Sequence, residues 1–171
     1  MKALMEVMKV AKDDLPIIYC DMDEVLCAFM KGAKEAIGAD FVSSDKEKRW
    51  SIISNTKNFW VNLDWMPSAK RLYDFIIRYE SRILSAYSNR DGNSKIGKIK
   101  WLKKNTKFKR SDINLVMRSQ KQTYAMTDGK PNVLIDDYVK NIKEWEAKGG
   151  IGIHHTNVGN TISELKKVGF K

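Results

Sequence analysis

Five short apolar runs punctuate the chain: Leu15–Cys20, Ile83–Leu84, Ile113–Met117, Val133–Ile135 and Ile151–His154. They lack the polar alternation of a half-exposed strand, so they predict strands buried on both faces of a parallel sheet. Helical patterns fall between them, for example Tyr138, Ile142 and Trp145, then Ile162, Leu165 and Val168, with Gly149-Gly150 ending the first of these. Strands alternating with helices predict an α/β fold, a Rossmann-type parallel sheet with helices on both faces.

Residues 30–80 break this rhythm. They hold no convincing strand, yet carry Trp50, Phe59, Trp60, Trp65, Tyr73, Phe75 and Tyr79. Pro67 can open a helix whose inward face is Ala69, Leu72, Tyr73 and Ile76. The segment reads as a small helical cap inserted after the first strand, with 14–29 and 81–171 forming the α/β core. In open α/β sheets ligands bind beyond the carboxyl ends of the strands, where such a cap would sit. Residues 1–13 read as an N-terminal extension.

With 171 residues, 43% hydrophobic and 30% charged, the chain fits one domain with a real core. No apolar run approaches the ~18 residues of a membrane helix. Glu6 and Lys9 interrupt the start before a secretory apolar core could form, so a cytoplasmic protein is expected. Cys20 and Cys27 make neither a disulfide framework nor a zinc pair and read as small buried hydrophobes. His154 and His155 alternate faces on a strand and cannot share one metal.

Charge is concentrated. Of the net +10, residues 95–121 carry ten bases against Asp112 alone. Such a block suits an anionic partner such as nucleic acid. The competing reading, which is favoured, is a solvated helix face above an inward stripe of Ile96, Ile99 and Leu102.

The chemistry lies where the apolar runs stop. Asp21 and Asp23 follow the first run, Ser85 the second and Asp136-Asp137 the fourth, while Lys121 opens a helical stretch after the third. A parallel sheet gathers all of them at one edge. Carboxylates so crowded repel unless a cation sits among them, and oxygen-only ligands favour Mg²⁺. A hydroxyl and a lysine beside the metal make a phosphate site, so the set points to metal-assisted phosphoryl transfer. Each residue also has a plain structural alternative: a strand-end turn for Asp21 and Asp23, a helix N-cap for Ser85, a solvated lysine for Lys121.

Asp21-Met22-Asp23-Glu24-Val25-Leu26, Leu84-Ser85-Ala86, Lys121 and Leu134-Ile135-Asp136-Asp137 resemble the four motifs of the haloacid dehalogenase (HAD) superfamily. Residues 59–67, 121–125 and 136–142, with Trp145 and Gly149-Gly150, resemble its 5′(3′)-deoxyribonucleotidases, and the likeness runs from about 16 to 156. It implies a HAD-like fold and a Mg²⁺-dependent phosphatase of nucleoside 5′-monophosphates working through an aspartyl-phosphate. By that likeness Asp21 is the nucleophile and Asp23 the general acid/base. Asp21, the Asp23 carbonyl and Asp136 hold Mg²⁺, and Asp137 stands beside it or binds through water. Ser85, the Ala86 N–H and Lys121 hold the phosphate, and Phe59, Trp60 and Trp65 are candidates for contacting the base. Glu24 departs from the glycine usual at its position. A polynucleotide 3′-phosphatase using the 95–121 block, and a non-catalytic nucleic-acid-binding protein on the same core, are the alternatives.

Overall fold

The computed structural model describes residues 14–171, so the extension at 1–13 lies outside the described residues. All five expected strands form: β1 (Ile18–Cys20), β2 (Ser81–Ala86), β3 (Ile113–Val116), β6 (Val133–Asp136) and β7 (Ile151–His154). They join in one parallel sheet of order β3-β2-β1-β6-β7. Between β3 and β6 lies an unexpected two-residue hairpin, β4 (Met126–Thr127) with β5 (Lys130–Pro131). It turns at Asp128-Gly129, whose φ angles of 50° and 74° are the left-handed pair a tight hairpin requires.

Side-chain alternation divides the core. Ile18, Cys20, Ile83, Val133 and Ile135 face α3 (Ala69–Ile76), α4 (Ser94–Asn105) and α6 (Val158–Val168). Tyr19, Leu84 and Leu134 face the opposite way, onto Ile142 and Trp145 of α5 (Val139–Ala147) and the 3-10 turn Arg118–Tyr124. Trp145 is wholly buried and its Nε1 donates to the Asn132 carbonyl at 3.0 Å. A Cβ at Gly150 would lie 2.2 Å from that indole nitrogen, so the residue entering β7 has to be glycine.

The insertion after β1 contains α1 (Phe29–Ile37) and α2 (Lys46–Asn55). Its centre is aromatic: Phe29 stacks on Trp60 at 5.3 Å between centroids and meets Phe59 and Phe41 edge-on. The helix at 69–76 forms as expected, but α3 packs against α6 in the layer on the sheet. It therefore lies in the crossover from β1 to β2, while α1 and α2 pack on each other in the rest of the insertion.

Two helical stripes differ from expectation. On α4 the inward face is Ser94, Gly97, Lys98, Trp101 and Leu102, while Ile96 is 60% exposed. Trp101 is the reason: its bulk fills the space above the sheet and its Nε1 donates to the Leu63 carbonyl at 2.7 Å, fixing the helix rotation. Tyr138 caps α5 from outside and is half exposed rather than part of its buried stripe.

Candidate active site

β1 is central, flanked by β2 on one side and β6 on the other. The chain runs outward from β1 to β3, then crosses back to β6, so the order reverses beside β1. The crevice at such a switch point lies beyond the carboxyl ends of the strands, and Asp21, Ser85 and Asp136 occupy those ends of β1, β2 and β6.

Asp21 is held rigidly. Its N–H donates to the Ile135 carbonyl at 2.9 Å, and its Oδ1 accepts from the Met22 N–H at 2.8 Å and lies 3.1 Å from Lys121 Nζ. Oδ2 is left without a hydrogen bond among the described residues. Asp136 is fully buried; Oδ1 accepts from the Tyr138 N–H at 2.9 Å and Oδ2 from Lys121 Nζ at 2.8 Å and Asn141 Nδ2 at 3.0 Å. Burial and the Asp21 charge push the Asp136 carboxyl above its ordinary range. Lys121 is also buried; desolvation disfavours its ammonium, but Asp21 and Asp136 outweigh that and raise its pKa. It is a buried bridge between two carboxylates, not a solvated lysine.

Asp137 has no such partner. Desolvation, with Asp21 and Asp136 close by, pushes its carboxyl to about 7. One oxygen each from Asp21, Asp136 and Asp137 lie within 4.8 Å of one another. Three oxygen donors at that spacing, one of them unable to ionise comfortably alone, fit a hard divalent cation.

Asp23 points elsewhere. Its Oδ2 lies 2.7 Å from Lys98 Nζ, and its Oδ1 accepts from the Cys27 thiol at 3.3 Å. Lys98 is fully buried and its ammonium also donates to Ser85 Oγ at 3.0 Å and the Ala86 carbonyl at 2.7 Å. Lys98 thus ties Asp23 to the end of β2. By charge pattern alone it falls among the solvated lysines. A signal for its burial exists in the sequence: residues 94, 97, 98, 101 and 102 make one face once Trp101 is taken as its anchor. Asn141, four residues after Asp137 and within the 136–142 segment of the resemblance, is a second residue that holds the site; its Oδ1 accepts from Arg118, which pairs in turn with Glu144. The site is therefore two lysine-bridged halves, Lys121 with Asp21 and Asp136, Lys98 with Asp23 and Ser85.

The three cap aromatics lie apart from these groups in character. Phe59 and Trp60 are buried, Trp60 stacked on Phe29 with its Nε1 donating to Asp91 at 2.7 Å. Trp65 is half-buried against Trp101 and Tyr73. Phe59 and Trp60 pack within the insertion and against the loop before α4, and both also line a cavity beside Asn93 and Ile96.

No protein-family model matches the chain, and no curated protein matches it in sequence. Solved structures do. A hydrolase from Streptococcus pneumoniae TIGR4 superposes with a TM-score of 0.55 at 12% identity, over 89% of this chain and 98% of that one. The HAD domain of an effector protein from Legionella pneumophila gives 0.49 at 13% identity over 90% and 94%, and a hydrolase from Pseudomonas syringae 0.48 at 16% over 91% and 90%. Among the described residues no helix is long and apolar enough to cross a membrane. The five-stranded parallel sheet flanked by helices is a HAD-like, Rossmann-type fold.

Proposed function

We propose that this protein is a divalent-metal-assisted phosphatase of the HAD type, acting on nucleoside 5′-monophosphates, deoxyribonucleotides foremost. The observation that carries the chemistry is the meeting of the Asp21, Asp136 and Asp137 oxygens within 4.8 Å at the switch point, with Lys121 against two of them. The nucleotide preference is supported by the likeness of the cap and motif segments to deoxyribonucleotidases. Mg²⁺ held by Asp21 and Asp136, with Asp137 beside it, supplies charge to orient and neutralise the phosphate.

Asp21 Oδ2, unbonded while Oδ1 is fixed, is the attacking atom. It forms a bond to phosphorus as the bond from phosphorus to the nucleoside oxygen breaks, giving an aspartyl-phosphate. Asp23 gives its proton to the departing oxygen. In the second half Asp23 takes a proton from water, whose oxygen displaces Asp21 and releases phosphate. Lys98 holds Asp23 in place, its Nζ 2.7 Å from Asp23 Oδ2, and Ser85 Oγ and the Ala86 carbonyl keep that ammonium partnered when Asp23 carries the proton it gives. Ser85 and Lys121 then face the phosphate oxygens.

The test is phosphate release with Mg²⁺ across deoxy- and ribonucleoside 5′- and 3′-monophosphates, sugar phosphates and a 3′-phosphorylated oligonucleotide. Preference for nucleoside 5′-monophosphates is expected. Faster turnover of the oligonucleotide end would move the reading to a polynucleotide 3′-phosphatase, and turnover of none would remove the phosphatase reading.

A further inference from the structure

An inward stripe of Ile96, Ile99 and Leu102 would make the lysines of 95–121 an ordinary solvated face. The observed rotation of α4 keeps Leu102 buried and Ile99 packed against the core but turns Ile96 out of that stripe. Ile96 stands in solvent among the charges, 60% exposed. Seven bases remain exposed along α4 and the loop after it: Lys95, Lys100, Lys103, Lys104, Lys107, Lys109 and Arg110. None of the seven forms an ion pair among the described residues. Four of them, Lys95, Lys100, Lys103 and Lys104, lie within a helix about 18 Å long, where like charges repel and an anion running along them would relieve that repulsion.

A second feature narrows the kind of anion. Beside the amino-terminal half of α4 lies a cavity of about 260 Å³ shared with the cap. Its wall carries Asn55, Asn58 and Asn93, the cations of Lys57 and Lys100 beside the Asp91 carboxylate, and exposed Ile96. Its volume is below that of a drug-sized site, on the scale of one ring system. Asn55 and Asn93 already donate to the Ser51 and Ser54 carbonyls; their oxygens, with the Asn58 amide, suit the edge of a nucleobase, and an aliphatic side chain suits its face. A lipid headgroup needs no such edge-reading amides, and a membrane would want more exposed apolar surface than one isoleucine.

We propose that the outer face of α4, with this cleft at its amino-terminal end, docks single-stranded nucleic acid, phosphates along the lysines and one base in the cleft. The inference goes beyond the phosphatase reading and does not depend on it. The two meet in one helix, since Lys98 projects from the opposite face of α4 into the site.

Binding of a fluorescent single-stranded DNA of about a dozen nucleotides, followed by anisotropy at several salt concentrations, tests it without reference to turnover. The expected result is micromolar affinity at low salt with a steep salt dependence. Replacing Lys100, Lys103, Lys104 and Lys107 by Gln is expected to weaken binding at least about tenfold. The salt slope should fall by about 3, at roughly 0.7 for each phosphate no longer neutralised. The same charge loss made elsewhere, with Lys70, Lys143, Lys148 and Lys166 as Gln, is expected to leave binding within about twofold. Ile96→Ser is expected to weaken the oligonucleotide but not heparin, a polyanion without bases. No binding up to about 100 µM at low salt, or equal losses in the two lysine sets, overturns the docking surface. Equal effects of Ile96→Ser on DNA and heparin, or equal binding to phosphatidylserine vesicles, overturns the choice of nucleic acid. Hydrolysis of p-nitrophenyl phosphate, measured alongside, reports separately on the phosphatase site.

Discussion

Replacing Lys98 by methionine keeps most of the side-chain volume and removes the ammonium. Its Nζ lies within 3.0 Å of Asp23, Ser85 and the Ala86 carbonyl, on a side chain 1% exposed. Breaking a buried pair by removing one partner costs about 3–5 kcal/mol, because the remaining charge is stranded. Asp23 is not sealed, its side chain being 29% exposed, so water can recover part of that loss. The lower end, about 3 kcal/mol, is therefore the expectation, which for a chain this size lowers Tm by about 6–12 °C. The double variant Lys98→Met with Asp23→Asn leaves no stranded charge and should recover about half or more of the loss. Urea and thermal unfolding of the two single variants, the double variant and the parent measure the coupling. A single variant within about 2 °C of the parent, or a double variant whose loss equals the sum of the two singles, would refute the buried ion pair. Phosphate release should separate structure from chemistry: Lys98→Arg, which keeps the charge, should retain more activity than Lys98→Met at equal foldedness.

Three further outcomes follow from the site. Asp21→Asn should fold normally but lower phosphate release by about three orders of magnitude or more, since an amide cannot form the bond to phosphorus; substantial residual turnover would remove Asp21 as nucleophile. Asp137, raised to about 7 in the folded protein against an ordinary ~4 unfolded, makes the native state the better proton binder between those values. Metal-free Tm should therefore fall as pH rises from about 5 to 8, and Mg²⁺ should stabilise more at pH 8 than at pH 6; a flat metal-free profile with no Mg²⁺ effect would mean the carboxylates hold no cation. Trp60→Leu, which loses both the Phe29 stack and the hydrogen bond to Asp91, should reduce turnover of nucleotides and of base-free phosphate esters alike; a loss confined to nucleotides would show that Trp60 contacts the base after all.

The sheet was legible because strands buried on both faces have a one-dimensional signature, an apolar run with a hard polar stop. The same stops announced Asp21, Ser85 and Asp136, since nothing but function or a partner tolerates a carboxylate at a buried strand end. What stayed hidden depends on rotation about a helix axis. Lys98 and Ile96 are two residues apart on α4, and which one faces the sheet is decided by the packing of Trp101 against the cap at Leu63, where distant segments meet. Gly97 belongs to the same arrangement: a Cβ there would sit 2.5 Å from Trp60 Cβ, so the helix approaches the cap only through a glycine. Counting lysines could not distinguish Lys98, which enters the site, from the six lysines around it that stay exposed. The aromatics at 59, 60 and 65 are ambiguous for a related reason, because the residues a small helical insertion needs for its own core are the same types that would stack on a base.

Glu24 shows how a departure from a motif can be accommodated by its neighbours. It adopts φ 61°, a left-handed conformation that costs a non-glycine residue roughly 1–2 kcal/mol and explains why glycine suits this turn. A fifth carboxylate, next to Asp23, would also oppose an anionic substrate. Its Oε1, however, accepts from the Met30 N–H at 2.7 Å, in a first turn of α1 that has no side-chain cap and no acidic residue of its own. A hydrogen bond to a charged group contributes about 1.5–3 kcal/mol, which offsets the backbone strain. The negative charge is spent on the positive end of the cap's first helix instead of on the phosphate. The turn that carries Asp21 and Asp23 is thereby fastened to α1. A glycine here would free the backbone and lose that tie, so the substitution that looks like a defect in the motif fixes where α1 begins relative to Asp21 and Asp23.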